Sequence, residues 1–240
     1  ADDWIDKKAL SALYKKTKNK DLDMVTFDIG TVSGTGDYLG VGGYNVLPAR
    51  FLIDLKLKCE KSFYTIDNFL VGEILKYPVT SGKQIYRREF IQKNKIDFPA
   101  HTLFEDDVFF LHTIFAGAKI SFIKKVLYYK RRHEGAITAD RAKHFDSFVR
   151  ICMYIWDRTH LFPQNEEKAT AVSNSYISNI PTRWHTLTQE RKYKFYSELL
   201  KFKRFADSQP DDDYWKDKKR WFDAFLFSPG VDKFKSREIK

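Results

Sequence analysis

Three acidic residues follow an aromatic residue and precede an apolar run in the segment Phe104-Glu105-Asp106-Asp107-Val108. A carboxylate that is partly enclosed by apolar side chains can act as a general base towards a substrate hydroxyl. Acids also suit the first turn of a helix, where the backbone dipole is positive. The segment by itself therefore allows two interpretations, general-base catalysis and stabilisation of a helix start.

Two further charged clusters have the composition of a site for a phosphorylated ligand. Asp2 and Asp3 are adjacent carboxylates of the kind that hold Mg²⁺ or Mn²⁺ against phosphates, although they also suit a helix start. Arg131 and His133 stand in a basic run between a predicted strand and Gly135, and arginine can bind a diphosphate through paired hydrogen bonds. The alternative for the basic run is a loop that makes surface ion pairs.

Hydrophobic spacing predicts that a mixed α/β segment carries these clusters. The predicted elements are a helix over 6–18, a strand over 23–27, a glycine-rich loop or hairpin over 30–43, helices over 47–58, 87–95 and 104–117, a short strand or turn at 85–86, and strands over 119–122 and 126–129. Beyond residue 140 the spacing predicts helices over about 141–159, 165–180, 188–205 and 211–226. The sequence thus predicts an α/β domain over 1–139 and an α-helical extension over 140–240.

The charge of the chain favours an anionic partner. The 240 residues include 42 Lys and Arg against 32 Asp and Glu, a formal net charge of +10. Such an excess suits a phosphate-bearing ligand, an anionic membrane surface or a nucleic acid. Nucleic-acid binding is the weaker alternative, because no binding motif is present and the aromatic residues stand at core-like spacing. Two cysteines exclude a disulfide scaffold, and no apolar run is long enough to span a bilayer.

Four short motifs occur in order along residues 1–140. They are Ala1-Asp2-Asp3-Trp4-Ile5, then Lys83, Tyr86, Arg87, Arg88, Phe90 and Ile91, then Glu105-Asp106, and finally Tyr128, Arg131, Gly135, Ile137 and Thr138. In this order they resemble the second half of the bacterial family 2 glycosyltransferases, which have the GT-A fold. The resemblance begins within the Asp-x-Asp segment of that family, and residues 141–240 resemble only a generic helical extension.

The resemblance implies an α/β fold, a partial GT-A (Rossmann-like) glycosyltransferase domain followed by an α-helical C-terminal region. It also implies an inverting glycosyltransferase whose donor is a nucleotide-diphosphate sugar bound with a divalent cation, Mn²⁺ or Mg²⁺. The acceptor would be a hydroxyl of a surface polysaccharide, a lipo-oligosaccharide or another glycan or lipid-linked glycan. The residues carried over from the motifs are Asp106 as the base and Glu105 as its neighbour that orients the acceptor, Arg131, His133, Lys83 and Tyr86 for the donor and its diphosphate, and Asp2 and Asp3 for the metal.

The sequence departs from the family pattern at several positions. The first Asp of Asp-x-Asp has no counterpart, Ala136 stands where the family often has serine, and Lys130 and His133 replace the commoner tyrosine and arginine. The nucleotide-binding half of the family has no counterpart either, so we expect the chain to be a piece of a longer enzyme. The alternative is a non-catalytic remnant or scaffold. We expect a cytoplasmic protein, peripheral on the inner face of the membrane through its basic helices, with no nucleic-acid partner.

Overall fold

The structure is a computed structural model that describes residues 3–41, 63–69, 71–76, 79, 81–133, 141–211 and 213–235. In these residues five strands form one mixed sheet. The strands are β1 (Trp4–Ile5), β2 (Met24–Val32), β3 (Tyr38–Val41), β4 (Gln84–Tyr86) and β5 (Ile120–Arg131). The predicted mixed α/β fold is confirmed.

Strand β2 lies at the centre of the sheet, and all but one of its nine residues are buried. Strand β5 pairs with it in parallel along one edge, while β4 and β3 pair antiparallel with successive parts of the other edge. Strand β1 pairs antiparallel with β5 and places Trp4 opposite Tyr129. The first acidic motif therefore lies beside the end of β5 that leads into the basic run.

The helices pack on the sheet and extend beyond it. They are α1 (Ala9–Thr17), α2 (Val71–Lys76), α3 (Arg88–Lys93), α4 (Glu105–Phe115), α5 (Phe145–Asp157), α6 (Glu166–Ile177), α7 (Asn179–His185), α8 (Gln189–Asp207), α9 (Asp213–Leu226) and α10 (Pro229–Asp232). The helices that follow residue 140 confirm the predicted helical C-terminal region. Among the residues that the structure describes, no helix has both the length and the apolar character that crossing a bilayer would require.

One apolar core runs through the sheet and the helical extension. Phe110 and Ile114 of α4 belong to the same buried cluster as Phe148 of α5 and Trp184 of α7. A smaller cluster between α1 and the opposite face of the sheet is built around Phe27. The division of the chain at residue 139 stays a prediction, and the larger core crosses that position.

Several local expectations differ from the structure. The two strands predicted over 119–122 and 126–129 are one strand, β5, whose register against β2 shifts near Asp28. Strand β2 continues beyond residue 27 to Val32, and the described part of the glycine-rich segment forms a hairpin of β2 with β3, which is one of the two predicted alternatives. Helix α1 begins at Ala9, not at residue 6, and the Asp6 carboxylate accepts a hydrogen bond from the Lys8 amide in the turn before the helix. The helix predicted over 47–58 lies outside the described residues.

Candidate active site

The carboxylate of Asp3 is held against the end of strand β5. Its Oδ1 accepts a hydrogen bond of 2.9 Å from the Arg131 backbone N–H, and its Oδ2 accepts one of 2.7 Å from the Tyr128 hydroxyl. The next side chain, Trp4, is also fixed on β5, because its ring stacks on that of Tyr129 with 5.4 Å between the centroids. Asp3 therefore fixes the acidic segment to the strand that leads into the basic run.

The ring of Tyr128 connects Asp3 to the segment before β4. A Cβ atom added to Gly82 would lie 2.5 Å from this ring, so the backbone there approaches as closely as only glycine allows. Gly82 lies in a 3₁₀ turn, Ser81–Lys83, that leads directly into β4. This contact brings the first, second and fourth motifs together.

Lys83 is the most enclosed charged side chain of the site, with 4 % of its surface exposed. Burial lowers its pKa from 10.5 to about 7, against the opposing effect of the Asp28 and Asp106 carboxylates. Those two electrostatic interactions place the amino group within range of the base predicted from the third motif. Contacts thus run from Asp3 through Tyr128 to the Ser81–Lys83 turn, and an electrostatic interaction of Lys83 links this turn to Asp106.

Glu105, Asp106 and Asp107 form the first turn of α4, so the interpretation of this segment as a helix start is confirmed. All three are half-buried. Phe104, at the N-cap, has φ 64°, which is rare for a residue with a side chain. The Asp107 backbone N–H donates to the Phe104 carbonyl and to Oδ1 of Asp106, both at 3.1 Å. The hydrogen bond from the Asp107 N–H therefore orients Oδ1 of the Asp106 carboxylate.

Two residues of the second motif, Tyr86 and Arg87, lie in different surroundings. The Tyr86 ring meets Phe109 of α4 edge-to-face at 4.9 Å, so Tyr86 packs between β4 and the helix that carries Asp106. Arg87 points to a different place, where its Nη1 lies 2.9 Å from Oδ1 of Asp21. Tyr86 thus packs against the helix that carries Asp106, its role in donor binding stays a prediction, and Arg87 joins β4 to the segment before β2.

The basic run is only partly within the described residues. Arg131 is half-buried, and its guanidinium carbon lies 5.6 Å from the centroid of the Trp4 ring. Its Nε is buried without a hydrogen-bond partner among the residues described here. His133 is exposed. Asp2 and the segment 134–140, with Ala136, lie outside the described residues, so the structure does not describe those parts of the predicted site.

Two buried polar residues of the site were missed by sequence reasoning. Asp28, 5 % exposed, is a carboxylate in the middle of β2; its burial raises its pKa, while Lys83 and Lys124 oppose that shift. Its Oδ1 and both polar atoms of the Gln84 side chain are buried without a hydrogen-bond partner in the described part of the chain. Asp28 interrupts the apolar pattern of β2, and that interruption was the available signal.

A metal site is not assembled by the described side chains alone. No group of three or more His, Cys, Asp or Glu residues converges among them. Asp3 offers two oxygens, each of which already accepts a hydrogen bond. The metal-binding role of Asp2 and Asp3 therefore stays a prediction.

The fold resembles that of solved glycosyltransferase structures. S. aureus TarS 1–349 in complex with UDP-GlcNAc has a TM-score of 0.50 and 17% sequence identity to this chain, covering 86% of this chain and 57% of TarS. The same TarS segment in complex with UDP has a TM-score of 0.51 and 17% identity, covering 86% and 56%. The chain thus spans a little over half the length of these structures. No family model and no curated protein sequence matches the chain. The chain has a glycosyltransferase-like fold.

Proposed function

We propose that this chain is the acceptor-side part of an inverting glycosyltransferase that uses a nucleotide-diphosphate sugar. The observation that carries the proposal is the convergence of the four motifs. Asp3, Tyr128, the Ser81–Lys83 turn and Asp106 are far apart in sequence and are joined by successive contacts or electrostatic interactions. Glycosyl transfer to a hydroxyl is promoted by a general base and by positive charge near the leaving diphosphate, and Asp106 and the basic run after β5 are proposed to supply them.

In the proposed reaction, the oxygen of the acceptor hydroxyl attacks the anomeric carbon of the donor. The Asp106 carboxylate takes the proton of that hydroxyl. Attack from the face opposite the leaving diphosphate inverts that carbon. Glu105, in the same half-buried turn, orients the acceptor. Arg131 supplies positive charge for the departing diphosphate, and such preorganised charge stabilises a transition state in which negative charge develops. Lys83 adds positive charge when its amine is protonated, which is favoured at and below about pH 7. His133 binds the diphosphate as a hydrogen-bond donor. Tyr86 forms part of the wall of the pocket.

The donor class is proposed from the fold neighbours and the charge of the site. The TarS structures contain UDP-GlcNAc or UDP, and we propose a uridine-diphosphate sugar as the donor here. Mg²⁺ is commonly held through one or two carboxylates together with substrate phosphates. Such an ion would be held by Asp2 with support from Asp3, and it would neutralise charge on the diphosphate. The acceptor would be a glycan or lipid-linked glycan at the membrane surface.

The first experiment measures ligand-dependent stability. The 240-residue chain, and the gene product with any residues that its reading frame places before Ala1, are melted with and without UDP and Mn²⁺. A ligand that binds only the folded state at 100 times its Kd stabilises that state by about 2.7 kcal/mol. Stabilisation of either protein supports the proposal. Absence of stabilisation of both by UDP, and then by other nucleoside diphosphates, would contradict it.

The second experiment tests the base. Asp106→Asn keeps a side-chain oxygen that can accept the Asp107 N–H but removes the ability to take a proton. General-base catalysis contributes about 10²–10⁴-fold, and we expect the rate of sugar transfer to fall by that factor. The exposed residue Asp217 on α9 gives a matched control, since Asp217→Asn should leave the rate unchanged. Near-normal transfer by Asp106→Asn would exclude this residue as the base.

A further inference from the structure

The third acid of the Glu105-Asp106-Asp107 turn has no role in the proposed reaction, yet it has a specific partner. The hydroxyl of Tyr176 donates a hydrogen bond to Oδ2 of Asp107. Tyr176 lies in the last turn of α6, within the helical extension, and is 69 residues from Asp107 in sequence. The extension therefore makes a direct polar contact with the turn that carries the proposed base.

Aromatic and cationic side chains surround this hydrogen bond, which is partly buried. The Tyr176 ring lies 5.5 Å from that of Phe148 between centroids. The guanidinium carbon of Arg183, on α7, lies 3.7 Å from the centroid of Phe148 and 5.5 Å from that of Phe104. Burial and the Asp107 carboxylate together hold the pKa of Tyr176 well above its usual value, so its hydroxyl remains a donor.

The backbone of the turn needs such support. Phe104 has φ 64°, in the left-handed region, where a residue with a Cβ atom is disfavoured. The Asp107 N–H closes the turn by donating to the Phe104 carbonyl, and it also donates to Oδ1 of Asp106. Any movement of Asp107 would therefore change both the turn and the orientation of the Asp106 carboxylate.

We propose that Tyr176 is a positioning residue which, through Asp107, fixes the orientation of the Asp106 carboxylate, so that the helical extension sets the geometry of the catalytic turn. The inference rests on the proposed function for its catalytic consequence. The mechanical part, the anchoring of the turn by Tyr176, can be measured without any substrate. The two parts are tested separately.

The mechanical part is tested by amide hydrogen exchange over residues 104–109 in the full chain. Tyr176→Phe removes only the hydroxyl, and we expect exchange in this segment to become at least about tenfold faster, because the turn loses its hydrogen bond to the helical extension. Tyr154→Phe is the matched control, since the Tyr154 hydroxyl also donates to a carboxylate, that of Asp97, at 2.9 Å. If Tyr176→Phe changes exchange over 104–109 no more than Tyr154→Phe does, the proposal is overturned.

The catalytic part is tested by steady-state kinetics of UDP release, with UDP-GlcNAc as the donor probe. Small displacements of a catalytic group cost up to about 100-fold, so Tyr176→Phe and Asp107→Ala should each lower kcat about 10- to 100-fold with KM little changed. The double variant should be no slower than the slower single variant, because both lose the same contact. Additive losses, or an effect confined to KM, would overturn a positioning role. If the wild-type protein transfers no sugar, the proposed function fails, and the exchange experiment alone still decides whether Tyr176 anchors the turn.

Discussion

The amino group of Lys83 gives the candidate site a titration near neutral pH. Its pKa is about 7 in the folded chain, against an ordinary lysine value of 10.5, because burial disfavours the charged form. Between about pH 7 and 10.5 the unfolded chain binds a proton that the folded chain does not, so this group makes stability rise with pH across that window. Below pH 7 its contribution is constant and least favourable.

Lys83→Met should remove this pH dependence. As pH rises from 7 to 10, the free energy of unfolding of the wild type should increase relative to that of the variant. The increase should be about 1.4 kcal/mol for each pH unit. Chemical denaturation at several pH values measures the difference. Lys125→Met, on an exposed residue of β5, is the control and should follow the wild type. Parallel curves for wild type and Lys83→Met would show that the amine is not buried as described.

The buried His112 makes stability depend on pH in the acidic range. It is 1 % exposed among aromatic rings, and burial, then the charge of Arg158, lowers its pKa to about 4, against the influence of Asp97. Between pH 6.5 and 4 the unfolded chain binds more protons, so stability is lost as pH falls through this range.

His112→Phe should protect the protein against acid. The neighbouring rings of Phe115, Tyr154 and Phe162 suit a phenyl group, and Nε2 of His112 has no hydrogen-bond partner among the described residues. Between pH 7 and pH 5, the wild type should lose roughly 2 kcal/mol of its free energy of unfolding through His112, and the variant should not show this loss. Melting curves at the two pH values measure this. An equal gain from His160→Phe, on an exposed histidine, would contradict the assignment.

At the scale of elements, the close approach of the Ser81–Lys83 turn to β5 depends on Gly82. A methyl group there would lie 2.5 Å from the Tyr128 ring, whose hydroxyl holds Asp3. We expect Gly82→Ala to cost about 1–3 kcal/mol, because the ring must move, and to weaken nucleotide binding through Asp3. Gly72→Ala in α2 is the control, since that position has open space and alanine favours a helix. Melting curves compare the two; equal stability would contradict the close contact.

Sequence patterns predicted the helices and strands better than they predicted the contacts between them. The helix over 104–117 was predicted from its apolar run, its acidic first turn and Gly117, and α4 matches it. The register shifts that make β5 one strand were not predictable, because they depend on pairing with β2, far away in sequence. The interruption of the apolar pattern at Asp28 was visible in the sequence, but its burial and its electrostatic interaction with Lys83 are tertiary properties. Local periodicity carries little information on such contacts.

At the scale of the whole molecule, the sheet and the helical extension share one core. Phe148, Ile151 and Trp184 from the extension are buried in the cluster that also contains α4. Each such side chain contributes about 1.5–3 kcal/mol by burial, and the net stability of a protein is only about 5–15 kcal/mol. We therefore expect residues 1–140 alone to show no cooperative unfolding by circular dichroism, whereas the full chain should. A cooperative transition in the shorter chain would show that the α/β part folds independently.

The parallel pairing of β2 with β5 also governs how quickly the molecule can form. The Lys119 amide donates to Oδ2 of Asp23, and these residues are 96 positions apart. Closing so long a loop costs entropy before any contact in the sheet compensates for it, whereas helices such as α8 form from neighbouring residues within microseconds. Refolding should therefore show early helix signal and late protection of β2 amides, and the candidate site, which needs β2, β4 and β5 together, would be among the last parts of the protein to form.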